Sequence, residues 1–141
     1  MRILAYWRIV ALAFLAASAL QVGLWAQFDP RSFYDSFPGV GQKWIVVDGP
    51  YNEHLIRDVG GLNLALAVLT IAALWRRSAT LVRVTGMAWL VYSVPHLAYH
   101  IGHTDGFDSG VDTAIEIGGL VMLVIAPAAL AMWPTAPRTA E

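Results

Sequence analysis

LIRDVGGLNLALAVLTIAALW, Leu55 to Trp75, is a run of apolar residues whose only charged or amide side chains are Arg57, Asp58 and Asn63, and it stops at Arg76-Arg77. A helix rises about 1.5 Å per residue, so this run crosses the roughly 30 Å hydrocarbon core of a bilayer. The stretch therefore predicts a transmembrane helix. Asn52 stands where an N-cap belongs, and Glu53 places an acid in the first turn, where it opposes the positive end of the helix dipole. Gly60-Gly61 permits close approach of a second helix, as small residues do in membrane bundles.

Three further runs of the same kind flank it. Ile9 to Ala26 follows Arg2 and Arg8 and ends at Trp25, Gln27 and Phe28; it reaches spanning length if Ile3 to Tyr6 contribute. A cleaved signal peptide is the competing reading, because Ala17-Ser18-Ala19 resembles a cleavage site, but the apolar run continues past it to an interfacial Trp. A third span runs from about Leu81 to His100 and a fourth from about Val111 to Trp133. Ser109 with Asp112 reads as a capping box for the fourth. Pro127 is expected to kink that helix, and Pro134 with Pro137 to end it.

The composition agrees: 141 residues, 57% hydrophobic, 13% charged, mean hydropathy +0.57. The expectation is an all-α fold, a four-transmembrane-helix antiparallel bundle forming one integral membrane domain over 1–141. Its spans are expected at about 6–26, 54–75, 82–102 and 112–133, with a long aromatic extracytoplasmic loop over 27–52. In that loop Ser32 to Phe37 suggests a helical turn and Trp44 to Val47 a short β-prone run. Phe28, Phe33, Tyr34, Phe37 and Trp44 suggest a lid at the membrane interface.

Running the spans antiparallel puts Arg2, Arg8, Arg76, Arg77, Arg83 and Arg138 on one side, which the positive-inside rule assigns to the cytoplasm together with both termini. Nine of the ten acids and all four histidines fall on the other side. One Lys beside eight Arg, with abundant Ala, Val and Gly, is the composition of a GC-rich bacterium, so the plasma membrane is the expected location.

Net charge is −1, and nothing in that balance points to nucleic acid. The absence of cysteine removes disulfides, thiolate metal sites and cysteine nucleophiles. No Walker A, GxGxxG, GxSxG or HExxH occurs. The chemistry must come from nitrogen and oxygen side chains.

PHLAYHIGHTDGFDSGVDTAIE, Pro95 to Glu116, holds three of the four histidines. His96, His100 and His103 at i, i+4 and i+7 fall within about 60° of arc on one helix face. Asp112 and Glu116 repeat the i, i+4 spacing, as do His54 and Asp58. Charges inside a span cost roughly 2.5 to 3.5 kcal/mol on insertion scales and normally turn inward and pair. By depth, His54, His100 or His103, and Asp112 are expected to form an outer layer, and Asp58, His96 and Glu116 an inner one. Gly61 and Gly119 each follow an acid by three and are expected to let the third helix approach.

Imidazole with carboxylate suits a transition metal such as zinc, iron or copper. The expected site is thus metal-binding, with His54, Asp58, His96, His100, His103, Asp112 and Glu116 as ligands or their supports, and Arg57 and Trp44 toward substrate. The bland readings are a hydrogen-bonded core for His96, solvated helix ends for His54 and His103, a cap for Asp112, and an Arg57–Asp58 ion pair.

The His96/His100 pair resembles one HxxxH element of membrane di-iron hydroxylases and desaturases, though their paired HxxxHH-type boxes are absent. PYNEHLIRDVGGLNLAL at Pro50 to Leu66 and PHLAYHIGH at Pro95 to His103 are similar to segments of small four-helix membrane proteins common in actinobacteria, and more loosely of DoxX-like families. The histidine content of the second segment departs from DoxX-like sequences. The resemblance implies a four-span bundle with an extracytoplasmic polar face and implies no activity. Three functions follow as expectations: a metal-dependent membrane oxidoreductase acting on a lipid or small apolar substrate, a b-type haem or quinone-linked electron-transfer subunit, and a non-catalytic subunit of a membrane protein complex.

Overall fold

The computed structural model describes residues 2–39, 41–104 and 109–132, and among these the chain is all-helical, with no strand. Helix α1 covers Arg2–Phe28, α2 Pro30–Ser36, α3 Glu53–Arg76, α4 Ala79–Ile101 and α5 Gly110–Ala131, with a single 3-10 turn at Val46–Asp48. Among the described residues three segments are long and apolar enough to cross a membrane: Tyr6–Phe28, α3 and α5. Helix α4 matches them in length at 23 residues but carries Arg83, Ser93, His96 and His100.

The helix starts follow from local chemistry. The Asn52 side chain accepts from Leu55 N, Ser78 from Leu81 N, and Ser109 from Asp112 N, each satisfying an amide that the helix itself leaves open. Helix α3 ends at Arg77, which takes the left-handed conformation, φ 54°, and turns the chain into α4 after one further residue. Helix α5 runs through Pro127; the expected stop at Pro134 and Pro137 lies outside the described residues, as do Trp133 and Arg138.

Contacts are most extensive between α1 and α3 and between α4 and α5; α3 meets α4, and α1 meets α5. Each of the first three pairs runs antiparallel. Gly23 lies against Leu64 and Gly60 against Ala26 and Gln27; Gly86 lies against Pro127 and Ala131 while His100 meets Glu116; Trp89 meets Thr70.

The close approaches occur at Gly60 and Gly86. A Cβ on Gly60 would stand 2.6 Å from the Gln27 backbone nitrogen, and one on Gly86 2.6 Å from Ala131 N and Pro127 O. The expected roles of Gly61 and Gly119 are not found. A Cβ on Gly61 would meet only Gln27 Oε1 at 3.7 Å, and one on Gly119 nothing within 4 Å. The small-residue contacts join α1 to α3 and α4 to α5, not α4 to the acidic faces.

The main core gathers Leu12, Leu15 and Ala19 from α1, Ala67 and Ala73 from α3, Val82 and Trp89 from α4, and Leu130 from α5. Its polar atoms are satisfied internally. Trp89 Nε1 donates to Thr70 Oγ1 at 2.8 Å, and the Thr70 and Thr85 hydroxyls donate back to Leu66 O and Leu81 O.

The segment between α1 and α3 is folded. Asp29 caps α2 and Pro30 occupies its first position. Trp25, Phe33, Phe37 and Trp44 follow one another edge-on or tilted at ring-centroid distances of 4.9 to 6.3 Å, and Trp25 Nε1 donates to Ser32 Oγ. Tyr34 donates to Gly49 O at 2.6 Å, where φ of 141° requires glycine. The β-prone run at Trp44 to Val47 forms no strand: Trp44 N bonds Phe37 O and the chain then enters the 3-10 turn, and among the described residues no strand stands beside it to pair.

Candidate functional site

A buried polar column crosses from α5 through α4 to α3. Glu116 Oε1 and His100 Nδ1 are 3.0 Å apart, with side chains 5% and 10% exposed. The His100 ring lies 4.7 Å from His96, His96 5.2 Å from Tyr92, and Tyr92 6.0 Å from Trp89. The spacings of three and four residues along α4 bring these rings onto one face. Tyr92 faces Asn63 of α3, which is itself buried and donates to Val59 O. Glu116 Oε2 and Ser93 Oγ are buried and have no hydrogen-bond partner among the described residues.

A carboxyl and an imidazole in direct contact can hold one proton between them, as neutral acid with neutral imidazole or as an ion pair. The buried Oε2 is an acceptor still open to a further donor. The pair is thus both an acid-base couple and an unfilled hydrogen-bonding position.

The rim comes from the segment between α1 and α3. Gln42 Nε2 donates to Asp112 Oδ1 at 3.4 Å, and Ser109 donates to Asp112 Oδ2 at 2.9 Å, so Asp112 serves as cap partner and as anchor for the segment. Asp48 lies within electrostatic reach of His100 and His103. Partial withdrawal from water holds its carboxyl above the ordinary carboxylate range; positive charge on the two histidines acts the other way and is the smaller influence. Beside Asp48 an open cleft of about 390 Å³ runs between Tyr34, Ile45 and Tyr51 on one side and Leu55 and Ile56 at the start of α3 on the other.

The seven residues expected at one site occupy separate places. His96, His100 and Glu116 lie together, but Glu116 meets His100, one turn from the expected His96. His103 falls beyond α4, which ends at Ile101; it stacks on Tyr99 at 4.1 Å, and its Nδ1 lies 2.8 Å from Tyr99 O. His54 and Asp58 pair with each other, 3.4 Å apart, on an exposed face of α3, His54 being 88% exposed. Arg57 does not pair with Asp58; it donates to Glu53 Oε1 at 2.9 Å and to Gln27 O. Trp44 belongs to the aromatic cover, against Phe37. Among the described residues no three His, Cys, Asp or Glu side chains form a group that could hold a metal ion.

Tyr92, Asn63, Gln42 and Asp48 join the site without a sequence expectation. Tyr92 precedes His96 by four, so its spacing carried a signal; Asn63 comes to the column, and Gln42 and Asp48 to its rim, only through packing between distant segments.

No protein-family model matches the chain, and comparison with the curated proteins and with the solved structures found no match.

Proposed function

We propose that the chain is a four-span integral protein of a bacterial plasma membrane, both termini cytoplasmic, whose His100–Glu116 pair binds the polar head of a membrane-soluble molecule and exchanges a proton with it. The observation that carries this reading is the buried Glu116, bonded to His100 through one oxygen and open at the other. A group this costly to desolvate ordinarily has a partner or a task. The surroundings are aromatic and apolar, so the ligand must reach the pair by way of the bilayer or the interfacial cleft. It must also offer a hydroxyl or carbonyl.

A quinone or quinol meets both conditions. Its carbonyl accepts from an imidazole N–H, its hydroxyl donates to a carboxylate, and interconversion of its two forms moves protons as well as electrons. The chain's own residues then bind, orient and exchange the proton, and electrons come from a redox partner in a membrane complex. Titrating a short-chain quinone into detergent-solubilised protein and following tryptophan fluorescence tests this. Saturable quenching in the wild type, weakened about tenfold or more in Glu116→Gln, which cannot exchange the proton, is expected. Quenching that does not saturate, or that Glu116→Gln leaves unchanged, overturns the reading.

The juxtaposition of His96 with His100 and the nearness of Asp48 favour a second reading, a transition-metal centre. His96, His100, Glu116 and Asp48 would supply its nitrogen and oxygen donors, and binding would have to draw them together. The measurement is metal content of protein purified without an affinity metal. About one ion per chain, lost in a His96→Ala/His100→Ala variant, is the supporting result; full metal content in that variant refutes it. A haem with His54 as an axial ligand has less support, since His54 is turned outward and paired to Asp58.

A further inference from the structure

The opposite end of the molecule carries a second feature, unrelated to the histidine column. A narrow cleft of about 70 Å³ opens there, lined by Ile9, Leu12, Leu74 and Val82 and bounded by Arg8 and Arg77. Three elements build it: α1, the end of α3 and the start of α4. The left-handed conformation of Arg77 sends the chain back across the end of α3, and its Nε donates to Leu74 O, which holds the guanidinium beside the cleft. Arg76 and Arg83 lie at the same end. Every described acid, Asp29, Asp35, Asp48, Glu53, Asp58, Asp112 and Glu116, lies at the other.

We propose that this cleft is a binding site for one anionic phospholipid, its phosphate held between Arg8 and Arg77 and the start of an acyl chain against Ile9 and Leu74, over the core residues Leu12 and Val82. Guanidinium offers planar, paired N–H donors that match phosphate oxygens. The cleft is far below the ~300 Å³ usual for an enclosed small-molecule site, which suits part of an acyl chain continuing along the outer face of the helices. An arginine-rich end also belongs on the side where anionic headgroups attract basic residues.

Native mass spectrometry of the full chain, released from delipidating detergent with added phosphatidylglycerol or phosphatidylcholine of identical acyl chains, tests the site. One phosphatidylglycerol is expected to survive on each chain under conditions that strip phosphatidylcholine. Its affinity should fall at least about tenfold in Arg8→Gln/Arg77→Asn, asparagine being chosen because it tolerates the left-handed backbone. Arg76→Gln should leave it unchanged. Equal retention of the two lipids, retention in the double variant, or an equal loss in Arg76→Gln overturns the proposal, as does displacement by inorganic phosphate alone at the lipid's own concentration. If the double variant does not fold, Arg8→Gln and Arg77→Asn taken singly answer the same question, each expected to weaken the adduct.

Discussion

His100 and Glu116 show how much one buried contact asks of its neighbours. Removing one partner leaves an unsatisfied polar group where water does not reach, a loss of about 1–3 kcal/mol. His100→Ala and Glu116→Ala should therefore each lower the unfolding temperature markedly. The double variant should be less destabilised than the two losses together, and thermal unfolding of all four proteins in one detergent measures the coupling. Asp48 gives a dependence on pH. Its carboxyl lies above the ordinary carboxylate range in the folded protein, so it favours the folded segment fully below its unfolded pKa, and that contribution is lost as pH rises through the raised value. Asp48→Asn should remove this component, so the difference in unfolding temperature between wild type and variant should change across the acid range and level off above it.

At the scale of elements, two glycines decide how close the helices come. A methyl group on Gly60 would collide with the backbone of Gln27, whereas one on Gly119 meets nothing. Gly60→Ala is expected to cost about 1–3 kcal/mol by forcing α1 from α3, while Gly119→Ala, at an open helical position, should be neutral or slightly stabilising. Unfolding midpoints of the two variants make the comparison, and equal effects would contradict the packing described for α1 and α3. The caps at Asn52 and Ser109 were legible because a cap is a local matter, decided within four residues. The failure to foresee which glycine packs has the same origin in reverse: Gly60 and Gly61 are adjacent in sequence but face about 100° apart on a helix, and only the neighbouring element selects one.

The whole molecule has an end rich in arginine and an end rich in acids, and the proposed topology follows from that polarity. With no native cysteine, single substitutions report sidedness directly. Lys43→Cys should react with a membrane-impermeant maleimide added to intact cells, and Arg76→Cys only after the membrane is opened; the reverse pattern would invert the orientation. The sequence by itself determined the helical class, the long apolar helices, the caps and the segregation of charge, because hydropathy, capping and charge counts are properties of a segment or of its nearest neighbours. Which ionisable groups meet was decided only by the tertiary structure. Equal i, i+4 spacings made His54–Asp58, His96–His100 and Asp112–Glu116 look equivalent, yet one pair faces outward, one lies in a buried column, and the last divides, Asp112 to the rim and Glu116 to His100. Spacing along a helix tells which side chains share a face; the rotation and axial register of helix against helix, set by Gly60, Gly86 and the Trp89–Thr70 bond, tell what that face meets.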